Sequence, residues 1–159
     1  MKHILLGILR LLLGWIFLWP FLDKLFGLGF ATENGKAWVD GVSPTYGFLS
    51  FGTQGPFADT FQSLVSNPVV DWLFMAGLLM IGISLILGIG IRIAALSGST
   101  MLILMYLAVI PPEHNPFIDD HIIYAVTLLV LAFSDAGRYV GFGKIWARSN
   151  LVLKFPFLK

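Results

Sequence analysis

Four stretches of the chain are apolar for long enough to cross a membrane, and polar residues are concentrated between them. The stretches lie at about 4–22, 69–91, 93–110 and 118–137. A helix rises 1.5 Å per residue, so about 20 apolar residues cover the ~30 Å hydrocarbon core of a bilayer. The pattern therefore predicts four spans. Only Arg92 separates the second from the third, which predicts a tight hairpin, and Pro111 and Pro112 end the third.

The predicted fold class is all-α, an integral membrane antiparallel four-helix bundle with a long extracytoplasmic first loop, in one domain over 1–159. Composition agrees, because 57% of residues are hydrophobic and 12% are charged, against about 25% charged in soluble domains. The run at 4–22 is interpreted as a retained helix, since it is long enough to span and no small-residue cleavage site follows it.

Lysine and arginine are unevenly distributed between the two predicted sides of the membrane. One side holds Lys2, Arg92, Arg138, Lys144, Arg148, Lys154 and Lys159. The other side holds only Lys24 and Lys36, among many carboxylates. Positive loops stay inside, so we expect a multi-pass protein of the cell membrane with both termini cytoplasmic. The segment 139–159 mixes apolar and basic residues and predicts an amphipathic cytoplasmic tail on the membrane surface.

The first loop, 23–68, is too long for a simple connector and is rich in glycine and aromatic residues. Pro56 opens a short amphipathic helix whose apolar face carries Phe57 and Phe61. We expect the loop to lie in the membrane interface and roof the outer end of the bundle. Two roles stay open, an aromatic belt that anchors the protein and a lid over a ligand site.

Arg10 lies well inside the first span and needs an anionic or carbonyl partner there. One hypothesis is a structural clamp with Asp135, near the cytoplasmic end of the fourth span. The other has Arg10 donating to a quinone carbonyl or an anionic substrate. Arg138 follows Asp135 by one turn and could share its carboxylate.

The stretch Asn-Pro-Phe-Ile-Asp-Asp-His at 115–121 leads directly into the fourth span. His121 and Tyr124 are three residues apart on a helix and should face the same way. Both could relay protons or hydrogen-bond a quinone oxygen, and Asp120 could tune the imidazole. Asp119 is predicted to cap the helix. For Asp120 and His121 a capping role and a chemical role both stay open.

Other cofactors find less support in the sequence. Five potential metal ligands cluster near the fourth span: Glu113, His114, Asp119, Asp120 and His121. They could hold zinc or iron, but their spacing matches no fixed ligand motif, so no metal is predicted. The chain has no cysteine, so we expect no thiolate or iron–sulfur site. His3 is at the opposite membrane face, which argues against bis-histidine haem. Nucleic-acid binding has no support.

Two polar residues at the ends of the predicted spans have alternative roles. Lys24, after Asp23, closes the first span and is either an interfacial anchor or a contact to an anionic substrate. Asp71, near the start of the second span, is interpreted as part of a helix cap at 67–69.

Several segments together resemble a known family. They are Arg10, Leu13-Gly14-Trp15, Phe21-Leu22-Asp23-Lys24, Asn115-Pro116-Phe117-Ile118-Asp119-Asp120-His121 and Gly137-Arg138-Tyr139. They resemble the DoxX-like membrane proteins, which include the DoxD subunit of thiosulfate:quinone oxidoreductase. The resemblance implies a small four-helix membrane subunit tied to sulfur or quinone redox chemistry, working with a DoxA-like or other redox partner subunit in the bilayer.

The predicted function is a membrane subunit of a quinone-linked oxidoreductase that oxidises thiosulfate or another small sulfur compound. Its candidate catalytic residues are Asp120, His121 and Tyr124. Its candidate cofactor-binding residues are Arg10, Trp15, Asp135 and Arg138, and its candidate substrate-binding residues are Lys24 and Asn115. The alternative is a non-catalytic anchor or assembly subunit of a redox complex, and homo-oligomers are compatible with either. A transporter is least supported, because the second and third spans offer only scattered Ser and Thr.

Overall fold

The computed structural model describes residues 1–158, and all regular structure in this part of the chain is helical. The α-helices are α1 (Lys2–Phe26), α2 (Ala58–Gln62), α3 (Pro68–Leu87), α4 (Ile91–Val109), α5 (Asp120–Phe133), α6 (Gly143–Trp146) and α7 (Asn150–Lys154). Short 3₁₀ or π turns lie at Trp38–Asp40, Phe48–Gly52, Gly55–Phe57, Ala136–Arg138 and Pro156–Leu158. Lys159, the last residue of the predicted tail, lies outside the described residues.

Three helices, α1, α3 and α4, are long and apolar enough to cross a membrane. The all-α class and the membrane-spanning helices are therefore confirmed. The predicted fourth span, 118–137, contains the shorter apolar helix α5 of 14 residues. Asp119 caps its start, and Asp135 adopts a left-handed backbone with φ 49° just after its end. At 1.5 Å per residue α5 is about 21 Å long.

The tight hairpin between α3 and α4 turns through residues 88–90. Gly88 and Gly90 have positive φ angles of 78° and 62°, a conformation that costs glycine little. Arg92 therefore lies inside α4 and not in the turn itself. At the other end of α3, Asn67 accepts the N–H of Val69 at 3.0 Å, while Pro68 starts the helix.

The helices pack as two pairs, α1 against α3 and α4 against α5, which join where α3 meets α4. Fully buried apolar side chains such as Met75, Leu85 and Leu128 fill the space between them. Gly82 allows α1 and α3 to approach closely, because a Cβ there would lie 2.9 Å from the Cβ of Leu18. The outer helix faces carry exposed apolar side chains, as lipid contact requires.

Residues 27–67 are fastened to the bundle at several points. Gln54 contacts the bundle through both its backbone and its side chain. Its backbone N–H donates to Ala108 O at 2.9 Å, and its side-chain amide donates to Val109 O and Pro111 O. The short helix expected after Pro56 is α2, which follows the Gly55–Phe57 turn. This part of the loop is thus held against the end of α4.

Two buried carboxylates hold the rest of the loop. Asp23 accepts the backbone N–H of Phe30 at 3.3 Å and that of Thr32 at 2.8 Å. Asp71 accepts the hydroxyls of Ser43 at 2.8 Å and Thr45 at 2.5 Å. The prediction that Asp71 takes part in the helix cap is wrong, because Asn67 does the capping and the Asp71 carboxylate is turned to these loop hydroxyls.

The tail folds back on the other end of the bundle. The N–H of Phe142 donates to Leu87 O at 2.8 Å, which ties the tail to the end of α3. The indole of Trp146 donates to Leu158 O at 2.6 Å, and Val152 is buried. Ile145 and Leu153 are exposed apolar residues, so the described tail, 139–158, carries apolar as well as basic side chains on its surface.

Candidate functional site

An open cleft lies where α4 ends and α5 begins, at the predicted outer end of the bundle. Its volume is about 600 Å³. The residues that line this outer cleft come from the first loop, from the 110–119 connection and from the start of α5. They are Phe51, Gly52, Gln54, Val109, Pro112, Glu113, His114, Asn115, Ile118, Asp119, Asp120 and His121.

His121 and Asp119 form a close pair in the outer cleft. The Nδ1 of His121 lies 2.6 Å from Asp119 Oδ2, and both side chains are largely buried. Asp119 also caps α5, as predicted, since its Oδ1 accepts the N–H groups of His121 and Ile122. One carboxylate thus holds the helix start and orients the imidazole. With Nδ1 engaged, Nε2 is the ring nitrogen left for a ligand.

The expected tuning of His121 by Asp120 is wrong, since Asp119 takes that place. Asp120 is the first residue of α5, lines the outer cleft and is exposed. Tyr124 does not line the cleft and instead packs, partly buried, against the core. The predicted catalytic set is therefore only partly brought together, with His121 and Asp120 at the cleft and Tyr124 behind it.

Asn115 shapes the wall of the outer cleft. Its side-chain oxygen accepts the N–H groups of Phe117 at 3.0 Å and Ile118 at 3.1 Å, which closes an Asx turn. Tyr106 of α4 donates to Phe117 O at 2.7 Å and pins the same turn. Because the carbonyl oxygen of Asn115 is used in this way, its NH₂ group is the part left for a ligand.

The outer cleft is acidic. Its lining includes the carboxylates of Glu113, Asp119 and Asp120 and contains no lysine or arginine. His114 Nδ1 lies 4.0 Å from Glu113 Oε2 and both side chains are highly exposed, so the interaction between them is weak. No three His, Asp or Glu side chains within residues 1–158 come close enough together to hold a metal ion. The cleft's charge favours neutral or cationic ligands over anions.

Arg10 lies near the other end of the bundle and is completely buried. Its Nη1 donates to Leu85 O and to Ile86 O at 3.2 Å, and its Nη2 donates to Tyr139 O at 3.1 Å and Val140 O at 2.5 Å. The carbonyls of Leu85 and Ile86 belong to the last turn of α3, where they lack intrahelical partners and carry the negative end of the helix dipole.

The predicted Arg10–Asp135 pair is wrong, because backbone carbonyls occupy the Arg10 guanidinium. Asp135 instead lies between Arg92 and Arg138, at 3.9 Å and 3.6 Å. Arg138 therefore lies beside this carboxylate, but it shares it with Arg92 and not with Arg10. Only Nε of Arg10 has no partner, so little of the guanidinium is available for a quinone carbonyl.

Two further predicted site residues lie away from the outer cleft. Trp15 is half exposed on the outer face of α1, with its ring 5.6 Å from that of Trp19. Lys24 lies in the last turn of α1 and does not line the cleft. Neither residue is brought together with His121.

Gln54 and Val109 were missed as site residues. Both line the outer cleft, and the Gln54 amide joins the loop to the Val109 carbonyl at 3.0 Å. No local pattern could have found this contact, since the two residues are far apart in sequence and neither is unusual for its segment. The aromatic content of the loop was the one signal that this region covers something.

The long apolar helices, with ionisable groups confined to their ends and interior contacts, define an α-helical integral membrane protein. The family model described as DoxX matches residues 5–110, which is most of the chain. The chain therefore belongs to the DoxX family. The match covers α1 to α4 and stops before the Asn115–His121 stretch, which also carried the resemblance. No curated protein and no solved structure matches the chain at a significant level.

Proposed function

We propose that this DoxX-family protein is a membrane subunit of a quinone-linked oxidoreductase, and that the quinone headgroup binds in the outer cleft. The observation that carries the proposal is the His121–Asp119 pair, with a 2.6 Å contact inside an open cleft. A quinone headgroup is neutral and carries two carbonyl acceptors, so it suits an acidic cleft that offers the second nitrogen of His121.

The pair has the composition that proton delivery to a quinone needs. Reduction of a quinone to a quinol takes two electrons and two protons. His121 would hydrogen-bond one quinone oxygen through Nε2 and donate a proton to it, while Asp119 stabilises the protonated imidazole. Water entering the open cleft would return the proton to His121 before the second transfer. Asn115 NH₂ is a candidate donor to the same headgroup.

The electron donor would be thiosulfate or another small sulfur compound, as the DoxX resemblance implies. Joining two thiosulfate ions through a new S–S bond releases the two electrons that one quinone requires. The carboxylates of the outer cleft would repel such anions. The donor would therefore react outside the cleft, where Lys24 is a candidate contact, or on a DoxA-like or other partner subunit that passes the electrons on.

The proposed topology has four spans, with α5 and its flanking turns as the fourth. It puts both termini in the cytoplasm and the outer cleft on the far side of the cell membrane, as the distribution of lysine and arginine favours. In this orientation the first loop, 27–67, covers the extracytoplasmic end. The loop residues Phe51 and Gln54 in the cleft wall support its role as a lid.

The proposal is tested with purified protein in nanodiscs, supplied with thiosulfate and a short-chain quinone, alone and with a DoxA-like partner. We expect quinol formation that His121→Ala abolishes and Asp119→Asn lowers. His3→Ala is the matched control, because His3 stacks on Tyr139 at the opposite end of the bundle. Absence of quinol in every combination, or full activity of the His121→Ala protein, would contradict the proposal.

The alternative is a non-catalytic anchor subunit of a redox complex. The absence of cysteine favours it, since the chain itself has no thiolate with which to carry electrons. It predicts that His121→Ala and Asp120→Asn leave both assembly and activity of the complex intact. A loss of activity in a normally assembled complex would exclude it.

A further inference from the structure

We propose that Arg92 and Arg138, the arginine pair, bind the phosphate headgroup of an anionic phospholipid. The two arginines lie at the end of the bundle opposite the outer cleft, one at the start of α4 and the other just after α5. The inference is independent of quinone chemistry, since no residue of the outer cleft takes part in it.

The geometry leaves both guanidinium groups available. Arg92 Nη2 lies 3.9 Å from Asp135 Oδ1, and Arg138 Nη2 lies 3.6 Å from Asp135 Oδ2. Both distances exceed hydrogen-bond length, so N–H donors of both groups remain free. The side chains are about half exposed, at 49% and 45%. A guanidinium is suited to phosphate because its planar fork donates two parallel hydrogen bonds.

The charge around the arginine pair is positive. Two arginines share one carboxylate, which leaves a net charge of +1 at the site itself. The tail that follows carries Lys144, Arg148 and Lys154 and has no Asp or Glu from residue 136 onward. An anion arriving here would therefore be attracted by the pair and by the tail together.

A small depression beside the pair is built from closely packed backbone. The turns at Gly88 and Gly137 are packed so closely that a Cβ on Gly137 would lie 2.5 Å from Gly88 O. Trp146 forms part of the same wall. Tryptophan is enriched at headgroup depth in membrane proteins, where its ring meets both apolar and polar surroundings.

Exposed apolar side chains in the segments that carry and follow the arginine pair favour a lipid over a free anion. Ile145, Leu151 and Leu153 of the tail are exposed apolar side chains, at 72%, 50% and 67%. Leu96, one turn along α4 from Arg92, is 69% exposed. A phosphate bound at the exposed side of the arginine pair could thus lay its acyl chains along apolar side chains of α4 and the tail.

Native mass spectrometry of the whole protein in detergent tests the site, with phosphatidylglycerol titrated against phosphatidylcholine of the same chains. We expect a preference for phosphatidylglycerol that falls roughly fivefold for each arginine removed in R92Q and R138Q. Lys36→Gln is the control, because it removes an exposed positive charge from the first loop. Equal lipid preference in the arginine variants and the wild type would overturn the proposal.

Asp135→Asn is the more telling variant, and it keeps the proposal testable if the arginine variants fail to fold. Asparagine tolerates the left-handed backbone of residue 135, and the substitution removes the negative charge that both guanidinium groups face. Phosphatidylglycerol should then bind more tightly, on the order of fivefold. Unchanged or weaker binding would indicate a purely structural triad and overturn the proposal. Displacement of the lipid by equimolar inorganic phosphate would identify a free-anion site and also contradict it.

Discussion

The two ends of the helical bundle use buried polar side chains in opposite ways. At one end Arg10 is completely buried and donates to the carbonyls of Leu85, Ile86, Tyr139 and Val140. At the other end His121 has a single side-chain partner and faces an open cleft. The more deeply buried group is thus the more fully satisfied one. Complete burial and four carbonyl partners make Arg10 a structural residue, while His121 keeps one ring nitrogen without a side-chain partner at the cleft.

The largest effect should follow from removal of the Arg10 donors. In Arg10→Met the carbonyls at the end of α3 and in the tail lose their partners in a dry environment. We expect a loss of at least about 3 kcal/mol in the free energy of unfolding, since each unpaired buried group costs about 1–3 kcal/mol. Thermal unfolding in detergent, followed by helical circular dichroism, measures it.

Lys2→Gln serves as the control for Arg10→Met, because it removes an exposed charge from the same helix. Arg10→Lys should be intermediate, since an ammonium keeps the charge but lacks the planar fork. Wild-type stability of Arg10→Met would show that the four carbonyls do not depend on the guanidinium.

A smaller loss is expected at the outer end from Asp23→Ala. The substitution leaves the N–H groups of Phe30 and Thr32 without their acceptor and should cost about 1–3 kcal/mol. Residues 27–35 should also become more sensitive to protease. Limited proteolysis with mass mapping detects this change, with Asp40→Ala as an exposed control in the same loop. Equal cleavage of the two variants would argue that Asp23 does not fasten the loop.

His121→Ala should separate binding from stability. The Asp119 cap bonds to backbone N–H groups that His121→Ala retains, so the melting temperature should change little. Quinone affinity should fall about tenfold, in line with a hydrogen bond supported by a charged group. Titration of a short-chain quinone, followed by tryptophan fluorescence, gives the affinity. A large drop in stability with unchanged affinity would reverse the assignment and make His121 the structural residue.

The smallest effect concerns the exposed Glu33–Lys36 pair, whose side chains lie 2.8 Å apart. The hydrogen bond from Lys36 lowers the pKa of Glu33, and the same bond raises the pKa of Lys36. The contribution of Glu33 is lost as the pH falls through its lowered pKa, and that of Lys36 as the pH rises through its raised pKa. Loop stability should therefore be flat between about pH 5 and 9, and Lys36→Gln should not change it measurably.

Much of the fold could be predicted because it depends on local chemistry. The lengths of the apolar runs predicted the ends of α1, α3 and α4 to within a few residues. Asp119 was recognisable as a helix cap from its position before the fourth run. The turn at 88–90 was misplaced to Arg92, because the charge was given more weight than the two glycines that allow positive φ. Helix α5 is shorter than its apolar run predicted, since Asp119 caps its start and the left-handed Asp135 lies two residues after its end.

The site was harder to predict, because its contacts join distant segments. Arg10 finds backbone carbonyls in α3 and the tail, and carbonyls carry no sequence signal. An acidic residue such as Asp135 was the visible candidate and the wrong one. The Asn115–His121 stretch does line the outer cleft, but the choice between Asp119 and Asp120 as partner of His121 depends on how the first turn of α5 is wound.

The location of the quinone is the central claim, and photo-crosslinking tests it most directly. An azido-quinone irradiated with the protein in nanodiscs, followed by peptide mapping, reports which residues lie beside the headgroup. We predict labelling in 48–54 and 109–121, the two segments that line the outer cleft, and its loss with excess unlabelled quinone. Specific labelling in 4–22 or 135–146, around Arg10 and the arginine pair, would contradict the account.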